Sequence, residues 1–356
     1  MNFIYTANPS RVIFGSGTLS KLPSELARQS LKAPLILCTP QQTTQAEHVA
    51  SLLPAVAGTF TEATMHTPTH ITQKALSYSE SVNSDSIISI GGGSTIGLGK
   101  ALSIRTGLPH ICIPTTYAGS EMTPILGETE DGRKTTRSDQ KILPGTVIYD
   151  VDLTMTLPAA LSATSGVNAI AHAVEALYSS TANPITSLLA LEGIKSLAHS
   201  LPTITKDPSN AEARSQALYG AWLCASCLGT VGMALHHKLC HTLGGSFNLP
   251  HAETHTIVLP HALAYNSKAI PADMLARLAD SLPESNGDAT EGLNVLLNKL
   301  GVKRALRDYG MKEEDVDKAA EIATSNPYYN PREIKKDEIR ELIRRAVVGE
   351  EARADI

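Results

Sequence analysis

The stretch Ser86-Ile-Ile-Ser-Ile-Gly-Gly-Gly-Ser-Thr-Ile-Gly-Leu-Gly-Lys100 decides the fold of the first part of the chain. An apolar run is followed by three glycines and a helical pattern, which predicts a strand, a tight turn and a helix start. Glycine lets a backbone adopt positive φ and approach a ligand closely, while hydroxyl residues can cap the helix whose N-terminus attracts phosphate. The stretch therefore predicts a pyrophosphate site. Its candidate residues are Gly91, Gly92, Gly93, Ser94 and Thr95.

The stretch differs from two better known phosphate-binding motifs. Ser94 stands where a P-loop needs its first glycine, and Ala101 stands where a hydroxyl should coordinate magnesium. The usual dinucleotide fingerprint GxGxxG is also absent, and the turn follows a later strand than usual. ATP or GTP hydrolysis is therefore not expected, and a tight turn without a ligand remains the alternative interpretation.

The segments around this turn alternate between short apolar runs and helical patterns. Such alternation predicts an α/β domain with a mainly parallel sheet, whose ligands bind beyond the carboxyl ends of the strands. Thr115 and Thr116 follow the strand after the glycine turn, and Thr39 follows the second strand, so all three are candidate cofactor contacts. Strands are predicted over 11–14, 34–38, 86–90, 110–114 and 146–149, with helices over 45–53 and 72–82.

The pattern changes after Asp150, where helical patterns follow one another with few strand candidates. We predict an α/β nucleotide-binding domain over 1–153 and an all-helical substrate domain over 154–356. The cleft between two such domains is the expected place of an active site. Leu259-Pro260 is expected to set a helix start. Helices are predicted over 159–178, 184–200, 211–241 and 271–282.

Composition excludes several classes of protein. The 356 residues carry a net charge of −5 with dispersed basic residues, so neither nucleic acid nor an anionic membrane is expected as a partner. There is no signal-peptide pattern and no run of about 18 apolar residues, so a cytoplasmic protein is expected. The five cysteines do not suggest a disulfide framework, and Cys224 and Cys227 are interpreted as core thiols.

Histidines concentrate in two stretches of the predicted helical domain. Asn168 and His172 are four residues apart, as are His237 and His241, so each pair shares a helix face. His251 follows the helix-breaking Asn248-Leu-Pro. Buried imidazoles need partners and therefore tend to cluster. They predict either a metal site or a metal-free polar pocket, whereas His255 and His261, nearby in sequence, are assigned mainly structural roles.

Taken together, these motifs resemble the iron-containing alcohol dehydrogenase superfamily, which has a dehydroquinate-synthase-like architecture. The resemblance extends over nearly the whole chain and implies a nucleotide-binding domain, a helical C-terminal domain, a nicotinamide cofactor and a homodimer. It is carried by Phe14-Gly-Ser-Gly17, Gly91-Gly-Gly-Ser94, Pro114-Thr-Thr116, Gly119-Ser-Glu121, Leu157-Pro158 and the arrangement of His237, His241 and His251.

The resemblance also implies a metal site, from which this chain departs. His172, His237 and His251 match three metal ligands of the family, but Asn168 stands where the fourth, an aspartate, is expected. Replacing a carboxylate by a neutral amide removes a hard anionic ligand. A catalytic metal is therefore not expected, although three imidazoles can still hold zinc.

Within the superfamily the chain is similar to the maleylacetate reductase branch. The resemblance implies NAD(P)H-dependent reduction of maleylacetate, a small dicarboxylate, to 3-oxoadipate in bacterial degradation of aromatic compounds. The similar strings are 114–124, 166–175, 236–241 and Asn326-Pro-Tyr-Tyr-Asn-Pro-Arg332. Two alternatives remain: a metal-dependent alcohol or polyol dehydrogenase, and an NAD-retaining cyclase or lyase resembling dehydroquinate synthase.

A mechanism for this reaction assigns tasks to the polar residues. Hydride addition beta to the ketone leaves an enolate, which needs preorganised donors, and the candidates are His172, His237, His241 and His251, with His241 as proton donor or relay. Lys238, Arg332 and the turn 115–117 are candidates for binding the substrate carboxylates. An acidic residue after the second strand would repel the 2′-phosphate of NADPH, but this position is Thr39. Use of both NADH and NADPH is therefore predicted.

Overall fold

The computed structural model describes residues 3–8, 10–130, 133–326 and 328–356. The chain divides into two compact units, one over 7–157 and the other over 158–356 together with the first residues of the chain. The first unit is an α/β structure and the second is helical, so the predicted fold class is confirmed.

The α/β unit is built on a parallel sheet. Its strands are β1 (Arg11–Gly15), β2 (Pro34–Leu37), β3 (Gly58–Phe60), β4 (Ser86–Gly91), β5 (His110–Pro114), β6 (Ile125–Glu130), β7 (Arg133–Ser138) and β8 (Thr146–Asp150). Six of them pair in the order β1-β8-β5-β4-β2-β3 with parallel neighbours. β6 and β7 form a separate antiparallel hairpin. The five predicted strands are present, whereas β3, β6 and β7 were not predicted.

Apolar side chains cover both faces of the sheet, because successive residues of a strand point to opposite sides. Ile36 and Ile88 pack with residues of the helices on one face, and Leu35 and Ile87 pack with residues of the helices on the other. The part of this unit that the structure describes contains four α-helices: α1 (Leu22–Arg28), α2 (Thr43–Ser51), α3 (Thr69–Ser81) and α4 (Gly93–Thr106).

The strand order places a topological switch between β2 and β4. From β2 the chain moves outward to the edge strand β3, and it then returns to the other side of β2 as β4. Loops after the two strands at such a point diverge and leave a crevice at their carboxyl ends. Thr39 and the glycine turn lie in these two loops, so the topology positions them at one edge of the sheet.

The second unit contains nine helices within the described residues: α5 (Ala159–Leu177), α6 (Pro184–Lys206), α7 (Ala211–Leu228), α8 (Leu235–Phe247), α9 (His251–Asn266), α10 (Ala272–Asp280), α11 (Ala289–Leu300), α12 (Val316–Thr324) and α13 (Lys336–Val348). α5 packs against α6, α7 and α9, and α8 packs against α9. Because residues 162–177 of α5 are buried without interruption, this helix is the centre of the unit.

Two helix predictions were wrong. The pattern over 211–241 is two helices, since the segment 229–234 with Gly229 and Gly232 separates α7 from α8. Pro260 does not start a helix but lies inside α9. A proline within a helix removes one backbone hydrogen bond, and here the residues from Thr254 to Asn266 are all buried, so tertiary packing stabilises the helix.

None of the helices in the described part of the chain has both the length and the apolar character needed to cross a membrane.

Candidate active site

The glycine turn joins β4 to α4, and its conformation and close contacts do not accommodate a side chain at its first positions. Gly91 has φ +147°, and a Cβ there would lie 2.5 Å from Gln42 Oε1 and 2.6 Å from Thr95 Oγ1. A Cβ on Gly92 would lie 3.0 Å from Thr116 Cγ2. Gly93 differs, because nothing lies within 4 Å of a Cβ at this position. The first two glycines therefore allow Gln42, Thr95 and Thr116 to pack directly against the turn, and open space remains at Gly93.

The predicted capping role of Ser94 and Thr95 is wrong. The N-cap of α4 is Gly92, whose lack of a side chain leaves no capping hydrogen bond, and both hydroxyl residues lie in the first helical turn. Thr95 is fully buried, and its Oγ1 has no hydrogen-bond partner among the described residues. A buried hydroxyl without a partner is costly, so Thr95 Oγ1 is available to a ligand bound at the turn.

Gln42, which the sequence analysis missed, connects the loops at the switch point. Its Nε2 donates to Thr115 Oγ1 at 2.8 Å, and its Oε1 accepts from Thr39 Oγ1 at 3.2 Å. The N–H of Thr115 donates to the Gly91 carbonyl at 3.1 Å. Thr39, Thr115 and the glycine turn are thus brought together as predicted. Only the spacing of Gln42, three residues after Thr39, hints at its role.

A buried lysine fixes the segment that follows Thr115 and Thr116. Lys100 of α4 is fully buried, and its Nζ donates to the Ser120 carbonyl at 2.5 Å and to Thr123 Oγ1 and the Ile125 carbonyl, each at 2.9 Å. Burial lowers its pKa to about 8. α4 therefore holds this segment by a charge-assisted network.

These features fit the pyrophosphate of a dinucleotide. Open space lies at Gly93, and Thr95 Oγ1 lacks a partner among the described residues. The first N–H groups of a helix have no partners within it. Thr39, Ser94, Thr115 and Thr116 supply further hydroxyls. The predicted residues, together with Gln42, are therefore the candidates for holding the cofactor.

The histidine cluster starts from one face of α5. Asn168, His172 and Glu175 follow at spacings of four and three residues, so they lie on the same side of this buried helix. All three are at most 5% exposed. Glu175 was missed as a site residue, although its position three residues after His172 was a readable signal.

A chain of contacts links α5 to α8. Asn168 Nδ2 lies 3.4 Å from His172 Nε2, and His172 Nδ1 lies 3.0 Å from His237 Nε2. His237 Nδ1 in turn forms a short contact with Glu175 Oε2. One proton assignment satisfies the chain: the amide donates to His172, His172 to His237, and His237 to the carboxylate. The carboxylate then orients the imidazoles, as acidic partners of functional histidines do.

His241 and His251 lie at the margin of the cluster. His241 is half-buried, and its ring centroid is 6.1 Å from that of His237. His251 is exposed and begins α9, with its ring 4.3 Å from His255. The chain reaches it because Asn248 adopts a left-handed conformation after α8, as the helix break in the sequence predicted.

His255 lies inside the cluster, so its assignment to a mainly structural role was incomplete. Its ring is 5.2 Å from His237 and 6.0 Å from His172, and its Nδ1 is 2.9 Å from His236 Nε2. Burial, followed by the neighbouring imidazoles, lowers the pKa of both His236 and His255. These two rings are therefore neutral and form the inner wall of the cluster. His261 is buried further along α9, six residues after His255.

The ligand set does not fit a tightly held divalent metal. At the family metal positions, Asn168 is an amide, His172 and His237 contact each other, and His251 is exposed. A second group, His236, Cys240 and His255, has ligand atoms within 4.8 Å of one another. Burial raises the pKa of the Cys240 thiol, however, and the two imidazoles already contact each other. We therefore derive no catalytic step from a metal.

Arg332 and Lys238 have different surroundings. Arg332 Nη1 donates to the carbonyls of Tyr265 at 2.8 Å and Ile356 at 2.7 Å, and Nη2 pairs with Glu338. The guanidinium thus fastens the C-terminal residues, which gives Arg332 a structural role. Lys238 Nζ instead lies 5.5 Å from the centroid of the Tyr328 ring.

Comparisons with known proteins find relatives over nearly the whole chain. A family model described as iron-containing alcohol dehydrogenase matches residues 9–151, and one described as the C-terminal part of the Fe-containing alcohol dehydrogenase family matches 162–347. The chain is 50% identical to a maleylacetate reductase of Rhizobium sp. (strain MTP-10005), covering 98% of each chain. It is 52% identical to one of Pseudomonas sp. (strain P51), covering 98% of this chain and 99% of that protein. The crystal structure of maleylacetate reductase from Agrobacterium tumefaciens superposes with a TM-score of 0.94 at 49% identity, covering 99% of each chain.

Proposed function

Because this chain belongs to the iron-containing alcohol dehydrogenase family, we propose that it reduces the carbon–carbon double bond of maleylacetate with NADH or NADPH and releases 3-oxoadipate. The observation that carries the proposal is the contact chain Asn168, His172, His237 and Glu175, in which an amide replaces a metal-binding carboxylate. The relatives named above support the same reaction. They do not favour a metal-dependent alcohol dehydrogenase or a cyclase.

Residues of the glycine turn and of the neighbouring loops bind the cofactor. Gly91, Gly92 and Thr95 bind the cofactor phosphates, with Gln42 holding Thr39 and Thr115 beside them. When bound, the cofactor supplies a hydride from its nicotinamide ring.

Stabilisation of the negative charge that develops on the ketone oxygen falls to His241 and His251 at the margin of the cluster, because His172 and His237 donate their N–H groups within the contact chain. Glu175 keeps the His237 ring in one orientation through Nδ1. His241, half-buried at the edge of the cluster, donates the proton that completes the reduction.

The test follows NADH absorbance with maleylacetate, with and without EDTA. We expect oxidation that depends on maleylacetate and survives chelation. Absence of oxidation with maleylacetate, combined with activity on simple alcohols or aldehydes, contradicts the proposal. The same assay with NADPH tests cofactor choice, since a kcat/KM ratio above about 10³ in favour of NADH contradicts the argument from Thr39.

The assembly is proposed to be a homodimer in the cytoplasm. Phe3, Ile4 and Tyr5 expose 49%, 90% and 37% of their surface, and exposed apolar residues near one another favour association. Light scattering after size exclusion should give twice the mass of 37.8 kDa. A monomer at micromolar concentration contradicts this proposal without affecting the reaction.

A further inference from the structure

Lys238 and Tyr328 lie beside the histidine cluster but take no part in the chemistry described above. Lys238 follows His237 on α8, and its Nζ is 5.5 Å from the centroid of the Tyr328 ring. Among the residues that the structure describes, no carboxylate lies within ion-pair distance of this half-buried ammonium. An aromatic face stabilises a cation without neutralising it, so the charge remains available to an anion.

The hydroxyl of Tyr328 also lacks a partner. Its oxygen is buried, and within the described ranges nothing forms a hydrogen bond with it. Burial, followed by the charges of Tyr265 and Glu175, raises the pKa of Tyr328, so the phenol keeps its proton and remains a donor. A buried O–H donor without an acceptor costs free energy that a bound ligand can recover.

The residues that follow Tyr328 are anchored by hydrogen bonds. Tyr329 Oη donates to the Tyr178 carbonyl at 3.1 Å, at the end of α5. Asn330 and Asn266 exchange hydrogen bonds of 2.7 and 3.0 Å, and Arg332 holds Tyr265 and the C-terminus. The residues after Tyr328 thus anchor the segment to α5 and α9.

We infer that Lys238 and Tyr328 form a subsite for one carboxylate of the substrate. An ammonium and a phenolic O–H are both donors, which suits a carboxylate and not a cation or an apolar group. Both carboxylate oxygens of Glu175 already accept hydrogen bonds. Oε2 accepts from the His237 ring, and Oε1 accepts from the backbone N–H of His236 at 2.8 Å. The inference rests on the proposed function, because it assigns a role to one end of the proposed dicarboxylate.

The experiment compares adipate, a dicarboxylate without a reducible double bond, with its monomethyl ester. Binding of each to the full-length protein is measured by calorimetry in the presence of NADH, for the wild type, Lys238→Gln and Tyr328→Phe. We expect the wild type to bind adipate at least about tenfold more tightly than the ester, since hydrogen bonds to charged groups contribute this much. In both variants this preference should fall to near unity.

The chain offers a matched control. Lys303 Nζ lies 5.2 Å from the Tyr309 ring, in the same kind of cation–π contact as Lys238 and Tyr328. Lys303→Gln and Tyr309→Phe should leave the preference for adipate unchanged. If Lys238→Gln fails to fold, Tyr328→Phe, which removes a single oxygen, carries the test.

The outcomes separate the subsite from the reaction. A wild type that prefers adipate no more than the ester overturns the subsite, as does a preference that survives in Lys238→Gln or Tyr328→Phe. Failure of maleylacetate to oxidise NADH overturns the proposed function instead. If both proposals hold, the two variants raise KM for maleylacetate about 10- to 100-fold and change kcat much less.

Discussion

The glycine turn of the α/β unit and the histidine cluster of the helical unit are built by opposite means. At the turn, Gly91 and Gly92 contribute backbone and the absence of a Cβ. In the cluster, the contacts run between side chains, from Asn168 through His172 and His237 to Glu175. A substitution that adds a side chain should therefore disturb the glycine turn, whereas a substitution that removes a polar group should disturb the histidine cluster. This difference leads to the predictions that follow.

The largest effect is expected from removing the proton donor at the margin of the cluster. His241→Gln should lower kcat by about 10²- to 10⁴-fold, the usual contribution of a general acid, with little change in NADH binding. Steady-state kinetics and NADH fluorescence check this. His199→Gln is the control, since this exposed histidine contacts the Lys195 carbonyl on α6. Equal activity of the two variants contradicts the role of His241.

A smaller loss is expected from changing the partner that orients His237. Glu175→Gln keeps the size of the side chain but replaces one carboxylate oxygen by an NH2 group. Because both oxygens of Glu175 accept hydrogen bonds from α8, one N–H donor of α8 then faces another donor. Hydrogen bonds to charged groups contribute about 1.5–3 kcal/mol, so kcat should fall about 10- to 100-fold and Tm should decrease. Glu212→Gln, at an exposed carboxylate of α7, should change neither quantity. Unchanged kcat in Glu175→Gln shows that the carboxylate does not support the cluster.

The glycine turn should respond to a single methyl group. Gly91→Ala places a Cβ against Gln42 and Thr95 at φ +147°, and strained backbone costs about 1–3 kcal/mol. We expect the Kd for NADH to rise about tenfold or more. Gly93→Ala, where the space is open, should bind NADH nearly as the wild type does. If both variants bind equally well, the turn does not require its missing side chains.

The last prediction concerns acid stability, where we expect no effect on activity near neutral pH, and it separates burial from site chemistry. Burial lowers the pKa of His110, on β5 beside Ser89, to about 3. The unfolded chain takes up a proton near pH 6.5 and the folded one does not, so stability is retained above about 6.5 and is lost as pH falls toward 3. His110→Gln should flatten this loss by about 1.4 kcal/mol per pH unit.

Urea unfolding at several pH values measures this slope. His48→Gln, at an exposed position of α2, should leave it unchanged. A slope that is the same in His110→Gln and in the wild type shows that another group controls the acid limb.

The sequence predicted where strands end and which residues share a helix face. It predicted less well which side chains from other elements these residues contact. Thr39, Thr115 and the glycines were found because turn residues after apolar runs are local signals. Gln42 was missed because glutamine has no local signature and because its contact with Thr115, 73 residues away, depends on how the loop after β5 packs. Pro260 was misread because tertiary packing outweighed its local preference.

By itself the sequence determined the fold class and the i,i+4 pairs that face the cluster, since periodicity and turn chemistry depend on near neighbours. Tertiary structure alone decided which groups meet: Glu175 with His237, His255 with His172, and Arg332 with the C-terminus. The physical reason is that a helix fixes the direction of a side chain, whereas its partner depends on how buried helices pack against one another.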